Sequence, residues 1–289
     1  MLGHTPVLAE EVIQFLDPRP GGRFIDVTVG AGGHSRAILE LTAPDGKLLA
    51  IDQDESALKQ AREALACFAA RVVFLHSNFS HVAELAGAER FSESDGVLAD
   101  IGISSMMVED PSRGFSFMHE GPLDMRMDRT QPLTAADVLN TRSEKDIADI
   151  LYNYGEERRS RPIARSIVRA RPLGTTTELV RAIERVTGGP RYGRIHPATR
   201  TFQALRIFVN DELRNLEMFV DSSMHAVRSG GRIVVITFHS LEDRIVKQKF
   251  RAPAVPGRVL TKKVVPASEE ELQRNPRSRS AKLRAWERS

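Results

Sequence analysis

The stretch Asp26-Val-Thr-Val-Gly30-Ala-Gly32-Gly33-His34-Ser35 sets three glycines and a histidine directly behind an apolar, β-branched run. One helix length later, Leu48-Leu-Ala-Ile51 ends in Asp52. A turn this rich in glycine lets backbone N–H groups come close to a ligand, and a carboxylate closing the next strand can accept two hydrogen bonds from a ribose diol. The unit reads as a site for an adenosine-containing cofactor. Gly30 and Gly32 fill two places of the three-glycine dinucleotide fingerprint, while Ser35 takes the third. That third glycine serves tight packing around a pyrophosphate, so its loss points away from NAD or FAD and toward S-adenosylmethionine. The bland alternative is a glycine turn that only joins a strand to a helix.

The elements that would position these residues follow from the apolar runs at 24–29, 47–51, 71–76 and 96–101, separated by helical patterns at 34–42, 55–68 and 79–87. Such alternation predicts an α/β fold with a parallel sheet, helices on both faces and ligands at the carboxyl ends of the strands. After Asp100-Ile-Gly102-Ile-Ser104-Ser105 the alternation stops, giving way to loop-rich pieces and arginine-bearing helices until about residue 197, as an inserted domain would. It resumes with one long helix carrying Phe202, Leu205, Val209, Leu213, Leu216 and Val220 at spacings of three or four. Gly230-Gly231 then turns the chain into the buried strand Ile233–Phe238, and His239 follows it. The expected domains are 1–108 with 198–289 around the sheet, and an inserted, mainly helical 109–197.

Composition excludes several classes. The 289 residues contain no apolar run of membrane-spanning length, and the amino terminus lacks a secretory pattern. A cytoplasmic protein with no membrane partner is expected. One cysteine, Cys67, permits no internal disulfide and no cysteine metal cluster, and no histidine has a ligand-type neighbour at metal spacing, so no metal is expected. The net charge of +3 conceals an asymmetry: residues 1–128 carry 10 Lys+Arg against 20 Asp+Glu, and the rest carry 31 against 18. Residues 158–206 hold 12 basic side chains, all arginine, against Glu178 and Glu184. Guanidinium forks suit phosphate recognition. A solvated helical face is the plainer reading.

Several blocks then carry a family resemblance: His4-Thr-Pro-Val-Leu, the Gly-Ala-Gly-Gly-His-Ser turn, Arg113-Gly-Phe-Ser-Phe-Met118, Gly121-Pro-Leu-Asp-Met-Arg-Met-Asp128, Tyr154-Gly-Glu-Glu157, His196–Arg206, Phe238–Arg244 and Asn275–Arg284. Over essentially the whole chain they resemble the MraW family, the bacterial ribosomal small-subunit RNA methyltransferases H. The resemblance implies a Rossmann-like S-adenosylmethionine-dependent methyltransferase sheet with an inserted helical substrate-recognition domain. It implies N4-methylation of a decoding-centre cytidine of 16S ribosomal RNA, cytidine 1402 in standard rRNA numbering. The expected partner is 16S rRNA or the small ribosomal subunit, and a homodimer stays open. Family cofactor contacts fall on Gly32, Gly33, His34, Asp52, Phe79 and Asp100, beside Gly30 in the same turn. Where the family continues Ser-Ser with Pro-Gln, this chain has Met106-Met107.

The residue inventory bears on the chemistry. Carbon-5 methylation of a pyrimidine uses a cysteine nucleophile. Cys67, in Ala-Leu-Ala-Cys-Phe-Ala-Ala, reads instead as a small buried residue in mid-helix. An exocyclic amine attacks a sulfonium methyl directly once acceptors draw its N–H bonds out of the ring plane, and close positioning then supplies most of the rate. Asp100, Ser104 and Ser105, with the carbonyls between them, are the candidate acceptors. His239 either binds substrate, shuttles a proton or fixes the turn that follows it. Candidates for RNA contact are Arg126, which Asp124 and Asp128 could orient toward RNA or hold within a loop by its own ion pairs, and Arg158, Arg159, Arg161, Arg165, Arg169 and Arg200. A base presented to such a site must leave its stack while flanking phosphates are held.

Overall fold

A computed structural model describes residues 6–189 and 195–289, except for the side chain of Ser105. Its chain divides into two compact units, Met1–Gly102 with Leu213–Ser289, and Ile103–Glu212.

The first unit is built on one eight-stranded sheet. Its elements in chain order begin with α1 (Ala9–Leu16), β1 (Arg23–Asp26), α2 (Gly33–Leu41), β2 (Lys47–Asp52), α3 (Glu55–Ala64), β3 (Val72–His76), α4 (Val82–Ala88) and β4 (Ser94–Asp100). The strands run parallel in the order β3-β2-β1-β4, with Ile25 opposite Leu49 on one side and Val97 on the other. Phe24, Ile25, Leu48, Leu49, Ala50, Ile51, Val97, Leu98 and Ala99 are all fully or almost fully buried. Covered on both faces, these strands read as continuous apolar runs, which is why they stood out in the sequence.

The second unit carries α5 (Ser105–Glu109), α6 (Ala135–Thr141), α7 (Glu144–Gly155), α8 (Ser160–Arg169), α9 (Thr176–Thr187) and α10 (Ala198–Val209). Helices α6, α7 and α9 each begin with a reciprocal capping box, from Thr134/Asp137, Ser143/Asp146 and Thr175/Glu178. Their apolar stripes meet in one core that includes Val138, Leu151, Ile163, Ile167, Leu179 and Ile183.

Two expectations are corrected at the end of this unit. The long helix is two, α10 and then α11 (Glu212–Ala226), because Asp211 takes a left-handed φ of 49° between them. The helical unit also reaches from 103 to 212 rather than from 109 to 197. Ala198, Phe202, Leu205 and Val209 of α10 pack into its core, whereas Leu216 and Val220 of α11 belong to a core of the first unit.

Back in the first unit, α11 leads into β5 (Val227–Thr237), which pairs parallel to β4. Gly230 and Gly231 do not turn the chain into this strand. They lie within it, at the register irregularity between its pairings with Ser94 and Gly96. After α12 (Ser240–Arg251) come β6 (Gly257–Val259), β7 (Val265–Pro266), α13 (Glu269–Arg274) and β8 (Lys282–Arg288), with β8 antiparallel to β5, β6 and β7. Among the described residues, no helix is long and apolar enough to cross a membrane.

Candidate active site

The carboxyl ends of β1, β2 and β4 gather the predicted residues of the first unit. Gly30 stands at φ 52° and Gly32 at φ 84°, left-handed conformations that favour glycine. Among the described residues, a Cβ on Gly30 would meet nothing nearer than the Thr28 carbonyl oxygen at 3.9 Å, so these residues leave space beside the turn for a ligand. Gly33 has a different reason: a Cβ there would come within 2.5 Å of Pro6 Cγ. Its bareness lets Pro6 pack against the turn, a demand for glycine beside the close backbone approach expected for a cofactor.

Two carboxylates hold the turn in shape. Asp52 Oδ2 accepts the Gly30 N–H at 3.0 Å, and Oδ1 accepts the Asp54 N–H at 2.9 Å. Burial pushes the Asp52 carboxyl up to about 6, against the lowering effect of those two N–H donors. Behind it, fully buried Asp26 accepts a hydrogen bond from Ser35 Oγ at 2.6 Å and one from the Thr28 N–H at 3.2 Å. Burial raises its carboxyl too, with Ser35 pulling the other way. Ser35, in the third-glycine position, is therefore the partner of a buried acid.

Between the first turn of α2 and the end of β4, His34 Nε2 lies 3.7 Å from Asp100 Oδ2. The Asp100 N–H donates to Thr28 Oγ1 at 2.7 Å, which ties the end of β4 to the end of β1. His34 Nε2 and Asp100 Oδ1 are buried with no hydrogen-bond partner among the described residues. Orphaned polar atoms at a strand end fit a ligand that brings both donors and acceptors. The amino-acid part of S-adenosylmethionine is such a group, and its ribose suits Asp52.

Other predicted residues are engaged elsewhere. Phe79 is 8% exposed and packs edge-on against Phe219, 5.4 Å between centroids, so it is a core plug with a narrow strip on show rather than a free platform. His239 caps α12: Nδ1 accepts the Glu242 N–H at 3.4 Å, and Nε2 lies 2.9 Å from Glu242 Oε1. The Nδ1 contact carries the turn-fixing reading, while Nε2 is buried without a hydrogen bond among the described residues. Ser104, in the second unit, caps α5 by accepting the Met107 N–H at 3.2 Å. The side chain of Ser105 lies outside the described residues. Cys67 is exposed, in the 3-10 turn that leads into the amino end of β3, which corrects its reading as buried and keeps it away from the carboxyl ends of the strands.

In the second unit, Arg158, Arg161, Arg165 and Arg169 recur at three- and four-residue intervals and are all exposed, as one helical face requires. Arg165 approaches Glu144 at 3.3 Å and Arg159 reaches the Val186 carbonyl at 3.5 Å, both in water, while Arg200 is exposed on α10. Arg126 is not available in the same way. Its guanidinium donates to both oxygens of Asp124 and to the carbonyls of Arg129 and Gln131, and the ion pair holds Asp124 below and Arg126 above its usual range.

Sequence reasoning missed Asp26, Thr28 and, on α9, exposed Arg181 and Arg185. Asp26 ends the strand before the glycine turn, and Arg181 and Arg185 sit four apart, so each had a readable signal.

Comparison with known proteins agrees with this geometry. Residues 1–289 match the MraW methylase family. A relative from Nostoc sp. (strain PCC 7120) named ribosomal RNA small subunit methyltransferase H is 55% identical, covering 100% of this chain and 93% of its own. One of the same name from Dehalococcoides mccartyi is 48% identical, covering 99% and 86%. Among solved structures, PH0851 matches with a TM-score of 0.50 at 14% identity, over 99% of this chain and 47% of that longer one, a likeness of fold. With its Rossmann-like sheet, its open glycine turn and full-length relatives at this identity, the chain belongs to the MraW methylase family of S-adenosylmethionine-dependent methyltransferases.

Proposed function

We propose that this protein methylates the exocyclic N4 of cytidine 1402 in 16S ribosomal RNA, with the first unit holding the cofactor and the second binding RNA. The names of the relatives supply the RNA class. The amine is supported by the end of β4, where Asp100 Oδ1 is a buried acceptor without a partner among the described residues.

When bound, S-adenosylmethionine supplies an electrophilic sulfonium methyl. The open backbone at Gly30 admits it, and Asp52 accepts hydrogen bonds from its ribose hydroxyls. His34 and Asp100 satisfy its amino-acid end. A cytosine amine is a weak nucleophile while its lone pair is delocalised into the ring. Asp100, together with carbonyls of the segment that follows it, accepts the N–H bonds and turns the lone pair outward. Carbon-5 methylation lacks its nucleophile, since Cys67 lies at the opposite end of β3. The exposed arginines of α8 hold phosphates flanking the target base.

Mapping modified nucleosides in rRNA from cells with and without this protein tests the reading, which requires N4-methylcytidine at that site to vanish with the protein. Asp100→Ala separates the roles of that residue. Near-normal turnover at saturating cofactor would confine Asp100 to cofactor binding.

A further inference from the structure

The first unit carries a second basic site, away from the carboxyl strand ends. Between α12, the segment after β6, and β8 lies a cavity of about 220 Å³. Lys247 and Arg251 line it from α12 and Lys262 from the opposite segment, with Phe250 and Thr261 in its wall. These three cations have no carboxylate partner among the described residues. Their neighbours differ: Lys249 pairs with Asp221 at 2.5 Å, Arg258 with Glu287 at 2.7 Å, and Arg284, which also lines the cavity, with Asp243 at 2.7 Å. Thr261 is 4% exposed, and its hydroxyl oxygen accepts the Ala285 N–H at 3.0 Å. Its own O–H therefore remains a buried donor without an acceptor among the described residues.

We propose that this cavity binds backbone phosphate of the RNA substrate, at a contact additional to the arginine face of α8. The inference rests on the RNA reading above. Lys247, Arg251 and Lys262 are exposed, so a phosphate could reach them from solvent, and unpaired cations lining one cavity from two segments match phosphate oxygens. Size selects the source. Pockets for whole small molecules span roughly 300 to 1,000 Å³. This smaller space suits a phosphate of a chain that continues outside it.

The test uses the full-length protein and a short single-stranded RNA centred on a cytidine, with affinity measured across a salt series. Combining Lys247→Gln, Arg251→Gln and Lys262→Gln removes the charges, and Arg161→Gln, Arg165→Gln and Arg169→Gln combined is the parallel arm. Two or three lost phosphate contacts lower the slope of log affinity against log salt by about 1.4 to 2, and weaken binding roughly 25- to 100-fold at 0.1 M salt. Affinity for S-adenosylmethionine stays unchanged and verifies folding. An unchanged slope in the cavity variant, with loss in the α8 variant, overturns this site and leaves the RNA reading intact. Binding of pyrophosphate that the cavity substitutions abolish, with RNA affinity untouched, also overturns it and assigns the cavity to a free phosphate anion.

Discussion

Replacing Asp52 by Asn separates the stability of the cofactor site from its function. The carboxyl sits at about 6 in the fold against 3.8 when free. At about 1.4 kcal/mol per pH unit, holding the ionised form in place costs about 3 kcal/mol above pH 6. Because the folded value is the higher one, the fold binds more protons than the unfolded chain between these values. Stability from this group is therefore fully present below pH 3.8 and lost as pH rises through 6. Asn removes that dependence, but its single carbonyl oxygen can serve only one of the Gly30 and Asp54 N–H groups. Leaving the other unsatisfied costs about 1 to 3 kcal/mol. The variant should be less stable than the parent at pH 4 and equal to it, or up to about 2 kcal/mol more stable, at pH 8. Its affinity for S-adenosylmethionine should fall roughly 30- to 150-fold, the equivalent of about 2 to 3 kcal/mol for a charged acceptor lost to a diol. Urea denaturation at both pH values and calorimetric titration at pH 8 measure the two effects. A stability difference that does not change with pH refutes the buried-carboxylate argument, and unchanged cofactor affinity refutes the ribose assignment.

Ser35→Ala strips fully buried Asp26 of its hydroxyl donor and should cost about 1 to 3 kcal/mol in denaturation, more where Asp26 is ionised than where it is protonated, because that bond favours the ionised form. Gly32→Ala forces a side chain into φ 84° with Leu65 Cγ at 3.2 Å, and should lower both stability, by about 1 kcal/mol or more, and cofactor affinity. His239→Asn retains a capping acceptor and should keep near-normal turnover, whereas His239→Ala should lose about 1 kcal/mol in thermal unfolding; equal loss of turnover in both would support the proton-shuttle role. Asn210→Ala removes a buried side chain that accepts from the Met127 N–H at 2.7 Å and donates to the Met125 carbonyl at 2.8 Å, and should destabilise the second unit by about 2 to 3 kcal/mol in hydrogen exchange.

The parts of this fold that were legible are those whose cause is local. Strands buried on both faces announce themselves as apolar runs, and Gly30 and Asp52 mark the two strand ends that a nucleoside needs. What stayed hidden depends on distant partners. Gly33 is required because Pro6 packs on it, and nothing near Gly33 in sequence says so. Phe79 is a core plug because Phe219, on α11, receives it. The break at Asp211 was masked because the apolar spacing continues across it, while the two halves of the stripe serve different cores. For Arg126 the sequence leaves two readings open, and the loop that folds around it selects the ion-paired one by consuming its donors. The role of His239 was readable in advance, since His-Ser-Leu-Glu has the spacing of a capping box.

The central claim is that the carboxyl ends of these strands present a sulfonium methyl to a cytosine amine. Incubating the purified protein with small-subunit RNA and S-adenosylmethionine carrying a deuterated methyl group, then digesting the RNA for nucleoside mass spectrometry, tests it directly. The account predicts deuterated N4-methylcytidine. Label on carbon 5 of a pyrimidine, or RNA without label from protein that binds the cofactor, contradicts it.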